Sequence, residues 1–178
     1  MLFLKAAVQP QKMLHKDSVM KSLLGTLLPM ATLTLFFLQV GLDKKNIGIA
    51  TNESIAVSCI FGALSAAAFI FIAAGIINAA AFFTHVKISY PDLAFTSGFI
   101  FEIPFVINLI GTLCNLVLRK GTSLTFGVTG LLIMILPLYY LIVSINLLGT
   151  KYRKYFAVTL SAVICAIGLT GWTILIQR

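Results

Sequence analysis

The sequence predicts an all-α polytopic membrane bundle, five transmembrane helices behind a short amphipathic N-terminal segment. Two observations carry that class. Of the 178 residues, 60% are apolar and 10% charged, whereas a soluble domain is about one quarter charged. A chain this short cannot hide so much apolar surface from water. Five predominantly apolar stretches then follow one another, each with the roughly 20 residues needed to cross a hydrocarbon core about 30 Å thick. They must be helices, because lipid offers an exposed backbone N–H or C=O no partner.

Residues 1–21 read MLFLKAAVQPQKMLHKDSVMK. Leu2, Phe3 and Ala6 give an apolar side before Pro10, and Met13, Leu14 and Met20 then alternate with Lys12, His15, Lys16 and Asp17 at roughly helical spacing. That pattern suits one or two short helices in the cytoplasmic interface, the alternative being a basic flank that only fixes topology. One membrane domain occupies residues 22–178. Its spans run over about 22–42, with Pro29 inside, then 55–83, 93–118, 124–148 and 155–176. The second is longer than a span needs and is expected to tilt or protrude. The connections 84–92, 119–123 and 149–154 are short enough to set successive helices side by side. The first connection, 43–54, is polar and without periodicity, so a loop is expected there. Within it Asn52, Glu53 and Ser54 match a glycosylation sequon, a pattern common by chance.

The net charge is +8, but the basic residues fall at the ends of apolar runs, where they meet lipid headgroups rather than nucleic acid. With the N-terminus cytoplasmic, that side holds Lys5, Lys12, Lys16, Lys21, Lys87, Lys151, Arg153 and Lys154. The opposite side holds Lys44, Lys45, Arg119, Lys120 and Arg178. The excess predicts a cytoplasmic N-terminus and an extracytoplasmic C-terminus in the cell membrane. Four lysines precede the first apolar run and no small-residue cleavage site follows it, so no cleavable signal peptide is expected.

Glu102 is the acidic residue well inside a span, roughly 14 Å along the third helix from Leu93. A charge at such depth costs on the order of 2.5–3.5 kcal/mol. Pro104 lies two residues on and Gly98 four back, so a kink is expected where the carboxyl sits. Two readings stand for Glu102: an ion, proton or substrate contact, or a structural carboxyl bonded to a neighbouring helix. Asn108, Thr112 and Asn115 share one face of the same span, and Asn78 and Asn146 lie in the second and fourth. Amides of this kind tie helices together in lipid, a polar translocation path being the alternative. Gly62 and Ala66 continue a small-residue row from Ser58, a packing face within the bundle or toward another subunit. Cys59, Cys114 and Cys165 lie in apolar runs without metal or redox spacing and read as buried small hydrophobes. No Walker loop, HExxH, GxSxG or dinucleotide turn occurs. No catalytic residue, metal ligand or cofactor is expected.

The order of features resembles the Yip family, small five-span membrane proteins. LFLKAAVQPQKMLHKDSVMKSLLG is similar to the apolar stretch, Pro and basic segment that open bacterial-type members. KISYPDLAFTSGFIFEIPFVINLIG resembles the family's polar turn and Pro-bearing span, and YLIVSINLLGTKYRKYFAVTLSAVICAIGL its basic turn and final Ala-bearing helix. The YGP-type motif of the eukaryotic branch is absent, so the likeness is to the bacterial and archaeal branch. What the resemblance implies is an accessory role, some such proteins resembling partners of ABC-type exporters. The expected function is therefore a non-catalytic subunit that steadies a larger membrane complex, through another membrane protein or self-association. The alternative is a small oligomeric transporter or channel with Glu102 in its path.

Overall fold

The computed structural model describes residues 19–118, 121–145 and 153–177. Helices α1 (Val19–Asn46) and α2 (Asn52–Phe83) form the first two spans. The third span joins α3 (Tyr90–Gly98) and α4 (Glu102–Leu118) through a 3₁₀ turn, and the fourth strings a π-helical turn (Ser123–Val128), α5 (Thr129–Ile133) and α6 (Ile135–Ser144). Helix α7 (Arg153–Gln177) is the fifth. No strand occurs among the described residues, and five helical runs are long and apolar enough to cross a membrane. The chain is thus an all-α helical bundle of an integral membrane protein. The N-terminal amphipathic segment lies outside the described residues as far as residue 18, and α1 already begins at Val19.

Helix α1 is the hub. It packs against α2, against both halves of the third span and against the π turn, while α7 closes on α6 and α2. Phe69 of α2, Phe101 of the third span and Trp172 of α7 meet in the core, with ring centroids 5.8 and 5.1 Å from Phe69. Such edge-on and tilted pairs suit the aromatic quadrupole. Where α1 crosses α3 the backbones touch: a Cβ on Gly98 would lie 1.7 Å from the Gly25 carbonyl oxygen. The small-residue row of α2 faces inward. Ala66 is fully buried, and a Cβ on Gly62 would come within 2.9 Å of the Leu33 carbonyl.

Two boundaries differ from expectation. Residues 43–46 are helical rather than loop, because α1 continues until Gly48 (φ +77°) ends it. Ile49 N–H returns to Lys44 O and Gly48 N–H to Lys45 O, both at 2.9 Å, a Schellman cap that consumes orphan carbonyls. The connection to α2 shrinks to residues 47–51, and the sequon becomes the first turn of α2, where Thr51 and Ser54 form a capping box. The fourth span is not continuous. It breaks at Met134 because Pro137 has no N–H for the carbonyl four residues back. The third span breaks where Pro104 demands it, at Phe99–Phe101.

Helix α2 ends in the same motif as α1, with Val86 N–H on Ala81 O and His85 N–H on Phe82 O. Here a histidine, not a glycine, takes the left-handed position (φ 58°). That conformation strains a residue with a Cβ. His85→Gly is expected to stabilise the protein by about 0.5–1 kcal/mol, read as a raised unfolding midpoint in mixed micelles. A lowered midpoint would mean that the exposed imidazole itself supports the turn.

Candidate functional site

The polar side chains of the first and third spans meet in one seam. Thr32 Oγ1, which donates chiefly to Leu28 O (2.7 Å), shares its proton with Phe101 O (3.4 Å), while Gln39 Nε2 donates to Asn108 Oδ1 (3.0 Å) and Asn46 Nδ2 to Asn115 Oδ1 (3.4 Å). Each interhelical pair is 69 residues apart, and successive rungs advance seven residues along both helices. A seven-residue repeat keeps one stripe of a helix against its partner. The first and third spans therefore run parallel in fixed register. Interhelical bonds of this kind contribute roughly 0.6–2 kcal/mol each in lipid.

The seam then branches toward the fourth span. Asp43, half-buried on α1, accepts from Thr122 N–H (3.2 Å), Ser123 N–H (3.0 Å) and the Asn115 side-chain amide. Asn115 Nδ2 also reaches Thr122 Oγ1 at 3.1 Å, and that hydroxyl donates to Gln39 Oε1 at 3.4 Å. Thr122 caps the π turn but makes no side-chain cap bond to it. Its orphan N–H groups are served by a carboxylate from a different span, where the helix dipole favours negative charge. Lower down, Asn108 Nδ2 donates to Pro104 O (2.9 Å) and Thr112 Oγ1 to Asn108 O (2.8 Å). Gln39, Asn108, Thr112, Asn115 and Thr122 are all buried.

The face shared by Asn108, Thr112 and Asn115 is thus a real element of the structure. Its two principal partners, Gln39 and Asp43, were missed in the sequence. The signal was present: Gln39, Asp43 and Asn46 repeat at the same four- and three-residue intervals as Asn108, Thr112 and Asn115. Glu102 is buried at the first residue of α4, beside the 3₁₀ turn and next in the chain to Phe101 of the seam. Asn78 is half-buried near the end of α2, away from this network. Asn146 lies outside the described residues. Among the described residues no group of three or more His, Cys, Asp or Glu could hold a metal ion.

No protein-family model, curated protein or solved structure matches the chain. The resemblance to the Yip family finds no support in these comparisons.

Proposed function

We propose that the protein is a non-catalytic subunit of a larger assembly in the cell membrane, with its N-terminus cytoplasmic and its C-terminus outside. The observation supporting this reading is how its intramembrane polar groups are used. Gln39, Asp43, Asn108, Asn115 and Thr122 bind one another and fix the register of three spans. Chemistry placed in helices for reaction or transport presents such groups to a substrate, whereas here they act as interhelical glue. A rigid bundle of this kind is suited to steadying a partner such as an exporter.

Affinity purification of the tagged protein from its native host in mild detergent tests the reading. A stoichiometric membrane partner is the expected result, and a protein that consistently elutes alone would sink it. Gly62→Leu and Ala66→Leu do not serve as interface variants, because both positions are buried inside this chain. A second reading, a small oligomeric transporter, draws on buried Glu102 beside the break in the third span. On that reading Glu102→Gln abolishes proteoliposome flux while the bundle stays assembled.

A further inference from the structure

Helix α2 has 32 residues, about 48 Å of helix, well beyond a hydrocarbon core of about 30 Å. Its excess lies at the C-terminal end. The Tyr90 hydroxyl donates to Phe71 O at 3.0 Å, so a side chain from the start of α3 reaches back along α2 to a point about 18 Å before its end at Phe83. The connection turns back at the left-handed His85, and residues 86–89 then lie along the end of α2 beside Asn78 and Phe82. Phe82 and Phe83 are 76% and 80% exposed at the end of α2.

Between the returning segment and α2 lies a pocket of about 390 Å³ lined by Asn78, Phe82, Val86, Lys87, Ile88 and Ser89. Three polar residues are in its lining, Asn78, Lys87 and Ser89, and their side chains make no hydrogen bond or ion pair with another described residue. Ser89 stands at the N-cap of α3 but makes no side-chain cap bond. We propose that this pocket binds the phosphate of an anionic phospholipid. Ammonium, amide and hydroxyl are all donors to phosphate oxygens, and the charged one gives the strongest bond. Phe82, Val86 and Ile88 supply apolar wall for the glycerol and the first acyl methylenes. A second pocket, about 350 Å³, shares Val86, Lys87, Ile88 and Ser89 with the first and adds Asp92 and Ser144 to its lining. The pocket that Asn78 lines has no carboxylate in its lining, so the headgroup is placed there. A zwitterionic lipid brings its own cation beside its phosphate and competes with Lys87, which makes the site selective for net negative charge.

Native mass spectrometry of the full chain, delipidated and titrated with phosphatidylglycerol, phosphatidylcholine or inorganic phosphate, tests the site. One phosphatidylglycerol is expected to be retained, at least about tenfold more weakly in Lys87→Gln. Lys87→Arg should restore retention, and Ser89→Ala should weaken it. Lys154→Gln, removing an exposed cation at the start of α7, should leave it unchanged. Equal retention in Lys87→Gln and the parent would overturn the proposal. So would equal losses in Lys87→Gln and Lys154→Gln, or phosphatidylcholine held as firmly as phosphatidylglycerol. Inorganic phosphate bound as tightly as the lipid would overturn the lipid assignment. None of these outcomes depends on whether a protein partner co-purifies.

Discussion

Gly98→Val is expected to pry the first and third spans apart and cost about 3 kcal/mol or more. Overpacking a core typically costs 1–3 kcal/mol, because side chains can shift to make room. Here the added Cβ would meet backbone, 1.7 Å from the Gly25 carbonyl oxygen and 2.5 Å from its carbon. No rotamer relieves that contact. A whole helix must move, and Thr32, seven residues along α1, would lose its reach to Phe101 O. Reversible unfolding in mixed micelles measures the loss, and a variant within about 0.5 kcal/mol of the parent would show that the crossing is looser than described. Gly25→Ala should behave in the same direction, its Cβ lying 2.3 Å from Phe95 O.

Asp43→Ala is expected to cost about 3 kcal/mol, the second largest effect. One carboxylate accepts from two backbone N–H groups at the head of the fourth span and from the Asn115 amide. Bonds to a charged acceptor contribute about 1.5–3 kcal/mol each, and stranded donors add their desolvation cost. Water at the half-buried end of the seam recovers part of this loss, which keeps the total near a single strong bond. Asp43→Asn keeps one acceptor oxygen and should lose about half as much. In a double-mutant cycle with Asn115→Ala, the two losses should fall short of additivity by about 1 kcal/mol. Additive losses would mean that Asp43 and Asn115 act separately. Hydrogen exchange of the π turn should rise in Asp43→Ala before that of α7, since the carboxylate holds only the former.

The five spans were legible because lipid imposes length and apolarity directly on the sequence. Pro104 likewise announced the break in the third span, since a missing N–H acts wherever it sits. The polar face of Asn108, Thr112 and Asn115 followed from helical periodicity alone. Its partners did not, because Asp43 stands before Lys44, Lys45 and Asn46 and looks like the start of a polar loop. The helix runs through those residues to a glycine cap, and only then does Asp43 share a face with Gln39. Pro137 was a visible warning of the break in the fourth span, whereas the π turn has no comparable mark. The inward direction of Gly62 and Ala66 depended on where α1 lies, which is a tertiary fact.

The 69-residue offset of the seam also dictates a timetable during biosynthesis. Thr32, Gln39 and Asn46 leave the ribosome well before Phe101, Asn108 and Asn115. At about 5–20 residues per second the delay is roughly 3–14 s. Through that interval the first helix must stand in the insertion machinery or the bilayer with its side-chain amides unmatched. Thr32 is spared this, because its hydroxyl already donates within its own helix to the Leu28 carbonyl, 2.7 Å away. Gln39 bonds instead to Asn108 of the third span and Thr122 at the head of the fourth. The first helix therefore completes its polar bonding only when the third arrives.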